Sequence, residues 1–354
     1  MDPVEALERV AYLLDRGHAS PHRARAFLRA AAVLRSLPAG ELSQRARTGR
    51  LTELEGLGPT TAGVAAEAAN GAVPGYLAEL EETTRIERPP GDELAAALRG
   101  DCHSHSTWSD GGAEIEAMAA AARALGHEYL ALTDHSPRLR VARGLSADRL
   151  RRQLEVVAGL NDRLADEAGS GRVPPFRVLT GIEVDILDDG SLDQDEGLLA
   201  GLDLVVASVH SKLGMDERSM TARLATAVAN PHVDVLGHCT GRLLAGRGPG
   251  RGPGRGRPGA RFDAELVFHA CERFDTAVEV NCRPERLDPP RSLLALAVEL
   301  GCRFAIDTDA HAPGQLEWQP YGTERAASCA VEVDRVVNAW PAEQLLAWTA
   351  AHGS

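Results

Sequence analysis

Histidine and carboxylate side chains recur just after strand-like apolar runs along this chain. Nine of them, in seven places, are His103, His105, Asp110, His135, Glu183, His210, His238, Asp309 and His311. Imidazoles combined with carboxylates suit Zn, Mn or Fe, and this set is too rich in histidine for Ca or Mg. If the fold brings these side chains together, the sequence predicts a multi-metal hydrolase.

The local spacing of these residues agrees with a site at strand ends. In His103-Ser104-His105 the alternation of an extended segment sends both rings to the same side. Asp110 follows in a glycine-containing turn that can bring its carboxylate back towards them. A lone histidine at any one of these places would more often be structural, so the prediction depends on their recurrence in chain order.

The elements that must position these residues start at about residue 95, where apolar runs alternate with Ala-, Leu- and Arg-rich helical stretches. This alternation is typical of an α/β barrel of parallel strands, which gathers the carboxyl ends of its strands onto one face. Seven strands are predicted, over residues 98–103, 129–134, 176–186, 202–209, 233–237, 277–280 and 303–306.

Residues 1–82 are predicted to form a separate helical domain. Two apolar sets repeat there at helical spacing: Val4, Leu7, Val10, Ala11 and Leu14, then Ala24, Phe27, Leu28, Ala31 and Leu34. Ser20-Pro21 is typical of a helix start. Gly56-Leu57-Gly58, between two short helices, permits a tight turn whose amides can face a phosphate. Residues 83–94, with Pro89-Pro90-Gly91, are predicted to be a linker to a domain over 95–354.

Composition narrows the class of protein. A chain of 354 residues has room for one large and one small domain. Its 51 acidic and 38 basic residues give a net charge of −13, which argues against coating nucleic acid by charge alone. No apolar run approaches the ~20 residues that cross a bilayer, so no membrane association is expected. Six cysteines without a CxxC pair indicate the reduced thiols of a cytoplasmic protein.

One segment, residues 246–259, is low in complexity and consists of Gly, Arg and Pro. Such a sequence cannot form a packed element and predicts a mobile loop after the fifth strand, over the metal face. Its arginines could clamp a polyanion, or the loop could have no role.

The order HxH, D, H, E, H, H, DxH resembles the polymerase and histidinol phosphatase (PHP) superfamily from about residue 95 to 345. The stretches LRGDCHSHSTWSDG, LALTDHSPRL, GIEVDIL, ASVHSKL, GHCTGRLL, VEVNCRPERLD and DTDAHAPGQL carry the likeness. They are most similar to the PHP domain that ends bacterial family X DNA polymerases. The resemblance implies a distorted (β/α)7 barrel, TIM-like in architecture, with a trinuclear metal site.

Residue by residue, the resemblance implies three divalent ions of Zn, Mn or Fe. His103, His105, Glu183 and Asp309 would hold one; Glu183, His210 and His238 a second; Asp110, His135 and His311 a third. Glu183, His210 and Asp309 would also be catalytic, in a mechanism in which a hydroxide bridging the first two metals attacks phosphorus in line. Arg242, Arg283 and Lys212, the only lysine in the chain, are candidates for orienting the substrate, and Asp134 for orienting a ligand histidine.

The N-terminal stretches SPHRARAFLRAAAVLRSL and GRLTELEGLGPTTA resemble the small helical domain of family X polymerases, the second as a helix-hairpin-helix. That resemblance implies binding of DNA or RNA phosphates through residues 16–71. The nucleotidyltransferase palm of those polymerases is absent between the two regions, so no polymerisation is expected. The helical domain also lacks a lysine for Schiff-base lyase chemistry.

Three functions remain open from the sequence. The first is a metal-dependent phosphoesterase on nucleic acid, such as a 3′ exonuclease or 3′ phosphatase. The second is a small-molecule phosphatase, histidinol phosphatase included, and the third is a non-catalytic DNA-binding accessory protein. An amidohydrolase is disfavoured, because its fourth strand would end in a carbamylated lysine where His210 stands. No obligate protein partner is evident.

Overall fold

The computed structural model describes residues 1–87, 92–171, 173–244 and 256–352. The chain divides into two compact units, one formed mainly by residues 1–87 and the other by most of the remaining chain. Residues 88–91 of the predicted linker and 246–255 of the predicted mobile loop lie outside the described residues.

The N-terminal unit is helical, as its apolar spacing predicts. Its helices are α1 (Pro3–Arg16), α2 (Pro21–Arg35), α3 (Glu41–Thr48), α4 (Pro59–Ala69) and α5 (Gly75–Thr83), with a 3₁₀ turn at Leu51–Glu53. Asp2 caps α1 by accepting from the amide of Val4 at 2.8 Å. Pro21 is the first residue of α2, as predicted, although Ser20 makes no side-chain cap bond.

Apolar faces of these helices pack into one core that includes Leu7, Leu14, Phe27 and Leu34. Leu28 is the exception to the predicted stripe, because its side chain is 40% exposed. The turn before α4 places Gly56 at φ +92°, a conformation that favours glycine, while Leu57 is buried. The interhelical turn predicted around Gly56-Leu57-Gly58 is therefore present.

Asp15 is a buried carboxyl in α1, and burial raises its pKa to about 7 although the charge of Arg25 opposes this shift. In the unfolded chain an aspartate titrates near pH 4. Between about pH 4 and pH 7 the Asp15 carboxyl is protonated in the folded protein but ionised in the unfolded chain. The free energy of unfolding is therefore highest below about pH 4 and falls as pH rises towards 7. The loss should approach about 4 kcal/mol at alkaline pH.

We therefore expect Asp15→Asn to stabilise the N-terminal unit at pH 8 and to leave it unchanged at pH 4. Urea titrations followed by circular dichroism at both values measure this. Glu79→Gln, at an exposed position on α5, is the matched control and should have little effect. A less stable Asp15→Asn protein at pH 8 would contradict the prediction.

The second unit is built around a sheet of seven parallel strands in the order of the chain. The strands are β1 (Gly100–Asp101), β2 (Tyr129–Leu132), β3 (Arg177–Asp185), β4 (Leu204–Ser208), β5 (Val235–Leu236), β6 (Ala277–Asn281) and β7 (Phe304–Asp307). β2 and β4 are buried along their whole length, as expected of strands covered on both faces.

A helix lies between each pair of successive strands. These helices are α7 (Ile115–Ala124), α8 (Ala147–Gly169), α9 (Glu196–Leu199), α10 (Glu217–Val228), α11 (Ala264–Arg273) and α12 (Arg291–Glu299), while α6 (Glu93–Ala97) precedes β1, and α13 (Gln319–Ser328) and α14 (Ala342–His352) follow β7. Short 3₁₀ turns occur at Arg140–Ala142, Pro313–Trp318, Val333–Arg335 and Val337–Ala339. α6 begins inside the stretch predicted as linker.

Side chains, rather than a regular ladder, close much of the gap between β1 and β7. Ser104 and Ala310 form a single parallel bridge. The Asn338 side chain links the two strands, because its amide donates to the carbonyls of Gly100 in β1, at 3.1 Å, and Ile306 in β7, at 2.8 Å. The result is the distorted (β/α)7 barrel that the sequence predicts. Among the described residues, no helix is long and apolar enough to cross a membrane.

Candidate metal centre

The two-residue period of the strands delivers the predicted ligands to the barrel interior. Tyr129 and Ala131 of β2 and Leu179 of β3 pack in the interior core. Side chains an even number of residues further on share their face, which directs His135 and Glu183 inward. Ala305 of β7 also packs in the interior core, so Asp309, four residues further on, is directed inward as well. Asp309 adopts φ +52°, so the chain turns sharply where that carboxylate is presented.

Glu183 lies at the centre of the predicted ligand set. Its Oε2 is 2.8 Å from His135 Nδ1, 3.4 Å from His103 Nε2 and 3.6 Å from His105 Nε2. Its Oε1 is 2.9 Å from His238 Nε2 and 3.3 Å from His210 Nε2. One carboxylate thus faces five imidazoles that come from four different strand ends.

The remaining ligands extend this cluster to one side. Asp309 Oδ1 lies 3.4 Å from His105 Nε2. Asp110 Oδ1 lies 3.5 Å from His135 Nε2 and 3.3 Å from His311 Nε2. All nine predicted residues therefore meet in one place.

Three groups of donor atoms are close enough to share a cation. They are His103, His105 and Asp309; His135, Glu183 and His210; and His105, Asp110, His135 and His311. This grouping is near the predicted one but places His105 and His135 each between two groups. The assignment of individual residues to individual ions stays a prediction.

The donor atoms themselves fit divalent metal ions. Buried atoms without a hydrogen-bond partner include His103 Nε2, His105 Nε2, His210 Nε2 and both Glu183 oxygens. Unpaired buried polar atoms are costly, and native structures rarely leave several together unless an ion satisfies them. A set of imidazole nitrogens and carboxylate oxygens facing a common space is the arrangement that Zn, Mn or Fe requires.

The electrostatics of the centre keep its carboxylates ionised. Burial alone would raise the pKa of Glu183, but the surrounding histidines hold it well below the usual value. Burial likewise opposes the shift at Asp309, where Arg283 and His105 hold the pKa well below the usual value. Anionic oxygens are the protonation state that cation binding needs.

Comparison with known proteins matches residues 101–249 to the PHP domain. The DNA polymerase/3′-5′ exonuclease PolX of Bacillus subtilis is 40% identical over 242 residues, which are 68% of this chain and 39% of that protein. The chain contains a PHP domain. A probable phosphatase of Thermoanaerobacter is 28% identical over 224 residues, 60% of this chain and 78% of that protein.

Among solved structures, the histidinol phosphate phosphatase of Lactococcus lactis, complexed with zinc, L-histidinol and phosphate, is 15% identical with a TM-score of 0.46. The structural match covers 66% of this chain and 95% of the Lactococcus protein. The match of residues 101–249 to the PHP domain confirms the family predicted from the order of the ligands. With its phosphatase relatives, the PHP domain puts this chain in the class of phosphoester hydrolases.

Two buried carboxylates that the sequence analysis did not single out contact histidines that are predicted ligands. Glu279 Oε1 lies 2.6 Å from His103 Nδ1, and its other oxygen accepts from the backbone amide of His238. Asp185 Oδ1 lies 3.3 Å from His210 Nδ1. A carboxylate behind a metal-binding imidazole fixes its tautomer and orientation. A signal existed for Glu279, since it follows inward-facing Ala277 by two residues.

The predicted cation Arg283 lies at the centre. Its Nη1 is 3.3 Å from Asp309 Oδ1 and 2.8 Å from His311 Nδ1, and its Nε is 2.8 Å from Glu285 Oε1. Arg286, which was not predicted, also reaches Asp309, with Nε 3.2 Å from Oδ2. Both guanidinium groups are mostly buried, so they place two positive charges beside the ligand set.

The other candidate cations have different contacts. The Arg242 guanidinium donates to the carbonyls of Arg286 and Leu287, which braces the loop after β6. The Lys212 ammonium pairs with Asp188, and its side chain is 61% exposed. Among the described residues neither side chain forms a hydrogen bond or ion pair with a predicted ligand. The Arg242 guanidinium donates to loop carbonyls instead, and the Lys212 ammonium pairs with Asp188. Their substrate-orienting roles stay predictions.

The role suggested for Asp134 is corrected by its contacts. Its carboxylate accepts from the amide of Ser106 at 2.8 Å and the amide of Ser109 at 3.2 Å. Both amides belong to the loop before Asp110, and no ligand imidazole is among its recorded hydrogen-bond partners in the described residues. Asp134 therefore holds backbone and does not orient a histidine ring.

Proposed function

We propose that this chain is a metal-dependent phosphoesterase whose nine-residue centre holds three divalent metal ions and acts on nucleic acid. The observation that carries the proposal is the position of Glu183, whose two oxygens face five imidazoles at 2.8 to 3.6 Å and form no hydrogen bond of good geometry with any described residue. A carboxylate in this position is suited to bridge cations.

Each part of the centre has a distinct task in this proposal. Bound divalent ions would supply an activated water nucleophile at neutral pH and offset charge on the phosphoryl group. Glu183 and the histidines hold those ions in fixed positions. Arg283 and Arg286, beside Asp309, make the neighbouring wall cationic and attract a phosphate ester. Glu279 and Asp185 keep His103 and His210 turned towards the centre.

Nucleic acid as the substrate is supported by the Bacillus relative, which is named as a DNA polymerase/3′-5′ exonuclease, although this chain spans about two fifths of that protein. A 3′ exonuclease or 3′ phosphatase reaction needs a domain that holds the strand by its phosphates. The proposed interface is residues 16–71 of the helical unit, with the turn before α4 offering backbone amides.

The arginines of that interface are not equivalent. Arg35 pairs with Glu8 at 2.5 Å, Arg45 with Glu41 at 2.7 Å and Arg50 with Glu53 at 2.8 Å, so their charges are largely balanced. Arg25 and Arg29 are exposed on α2, and neither forms an ion pair within 4 Å among the described residues, although the charge of Arg25 also acts on Asp15. We therefore assign phosphate binding first to these two.

The double substitution Arg25→Gln/Arg29→Gln is expected to weaken oligonucleotide hydrolysis, mainly by raising KM. It should also make KM less sensitive to salt concentration, by the contribution of about two phosphate contacts. Turnover of p-nitrophenyl phosphate should be unchanged, because that substrate needs only the metal centre. Arg218→Gln, exposed on α10 of the barrel unit, is the control for the loss of one exposed arginine charge outside the helical unit. Equal losses on both substrates would argue against a nucleic-acid role for α2.

A substrate panel tests the proposal as a whole. Purified protein loaded with Mn or with Zn is offered single-stranded DNA, 3′-phosphorylated DNA, histidinol phosphate and p-nitrophenyl phosphate. Preferred turnover of either DNA substrate supports the proposal. Absence of metal binding and of all hydrolysis would instead favour a non-catalytic DNA-binding accessory protein.

A small-molecule phosphatase is the second candidate. The observation in its favour is the match to the Thermoanaerobacter probable phosphatase, which this chain covers over 78% of that protein's length. Preference for histidinol phosphate over both DNA substrates in the same panel would support it.

A further inference from the structure

The loop between β1 and α7 carries Asp110, the most exposed of the predicted ligands. The Asp110 side chain is 38% exposed, whereas those of its neighbours His135 and His311 are 7% and 17% exposed. Packing therefore restrains the Asp110 carboxylate less than the two imidazoles, and the position of this carboxylate depends more on the backbone of its loop and on Ser109, whose hydroxyl donates to it at 3.4 Å. That loop turns back on itself, since the amide of Gly111 donates to the carbonyl of Ser106 at 2.9 Å.

The amide side of the loop is held by one buried carboxylate. Asp134 accepts from the amides of Ser106 and Ser109 at 2.8 and 3.2 Å, and also from the hydroxyl of Ser106 at 2.6 Å. Gln153 of α8 donates to the same carboxylate at 2.6 Å, which fixes its orientation. Asp134 is 1% exposed, so these bonds are protected from water.

The carbonyl side of the loop is held by two guanidinium groups. Arg143 donates to the carbonyl of Ser109 at 3.0 Å and to that of Thr107 at 3.1 Å. Arg149 of α8 donates to the carbonyl of Trp108. Three successive carbonyls before Asp110 are therefore bound by two arginines whose planar groups can serve several acceptors at once.

Arg143 is itself held in place by the backbone around it. It adopts φ +57°, and the next residue, Gly144, packs so closely that a Cβ there would lie 1.8 Å from the carbonyl oxygen of Ser136. Arg149 also donates to the carbonyl of Gly144, at 3.3 Å, which joins the two arginines. The loop after β2 thus forms a rigid support for the loop after β1.

We propose that Arg143 and Arg149, acting with Asp134 on the backbone of residues 106–109, are positioning residues that set the Asp110 carboxylate against His135 and His311. The inference rests on the proposed function, because it assigns these residues to the corner of the centre that would hold one metal ion. Without the two arginines, Asp110 loses its fixed place and that ion is held more weakly, while the ions around Glu183 are retained.

The test is Arg143→Asn in the full chain. Asparagine tolerates the left-handed conformation, so the substitution removes the guanidinium without adding backbone strain. Metal bound per chain is measured by mass spectrometry after equilibration against graded Mn concentrations. We expect one binding step to weaken about 10–100-fold, the usual effect of losing an outer partner of a ligand, and the others to stay. Arg140→Asn, exposed in the same loop, is the matched control.

A double-mutant cycle separates positioning from general destabilisation. Asp110→Asn removes the ligand itself, so adding Arg143→Asn to it should cause no further loss of metal. Additive losses, or equal weakening of every binding step, would overturn the inference. If Arg143→Asn does not fold, Arg149→Lys takes its place in the same cycle, since it keeps the charge but loses the guanidinium fork. Wild-type protein that binds no metal would overturn the proposed function as well.

Discussion

Glu183→Gln is expected to reduce phosphoester hydrolysis by about 10³-fold or more and to lower the number of metal ions bound per chain. The change keeps the shape of the side chain but removes the charge that five imidazoles face within 3.6 Å. Stabilisation by metal ions contributes several kcal/mol to such a reaction, and about 4 kcal/mol corresponds to three orders of magnitude in rate.

Two measurements decide the outcome: kcat on p-nitrophenyl phosphate and metal content after Mn or Zn loading. Asp189→Asn is the matched control, because it neutralises an exposed carboxylate in the loop after the same strand. It should leave both values unchanged. Retained turnover with full metal content in Glu183→Gln would mean that the ligands are misassigned. The variant should still melt cooperatively, since its surroundings are unaltered in volume.

The seven strands could be predicted because parallel strands buried on both faces leave continuous apolar runs in the sequence. β2 and β4 are examples, predicted from such runs and buried throughout. The limits of β1 could not be predicted, and only Gly100 and Asp101 form a ladder with β2. Between β1 and β7, side chains rather than a backbone ladder join the strands. For example, the Asp307 carboxylate accepts from the amide of Cys102 at 2.7 Å. Such contacts have no local signature.

The convergence of the nine predicted ligands was predictable for a similar reason, because these residues lie where strands end and because a resemblance fixed their order. Residues that support them were not. Arg149 binds a carbonyl 41 residues away, and nothing in its helix distinguishes it from the exposed Arg151. Lys212, the only lysine in the chain, was predicted to orient the substrate, whereas in the structure it forms an exposed ion pair with Asp188.

The arginine content also has a physical meaning that composition alone conceals. Arg223 of α10 is buried and donates to the carbonyls of Ile186, at 3.2 Å, and Ser211, at 2.9 Å, at the ends of the third and fourth strands. Together with Arg143 and Arg242, it binds backbone of the loops on the metal face. These three arginines therefore organise the loops around the site, and arginine counts alone do not indicate nucleic-acid binding.

Glu279→Gln is the second substitution with a large expected effect, because Glu279 contacts two predicted ligands on the side away from the proposed ions. It contacts Nδ1 of His103 at 2.6 Å and accepts from the backbone amide of His238. Burial lowers the pKa of His103, but the charges of Glu279 and Glu183 outweigh it, so its pKa lies well above the usual value. Losing the carboxylate charge makes the imidazole a weaker donor to a cation and frees its ring orientation.

We expect Glu279→Gln to lose about 10–100-fold in metal affinity, with a matching fall in turnover at limiting metal. High metal concentration should restore much of the turnover, because the ligands themselves remain. That recovery distinguishes a supporting residue from a ligand, since Glu183→Gln should not recover. Glu265→Gln, exposed on α11, makes the same chemical change without contact to the centre and should behave as wild type. Unchanged metal affinity in Glu279→Gln would show that His103 needs no partner, and the buried carboxylate would then serve the fold alone.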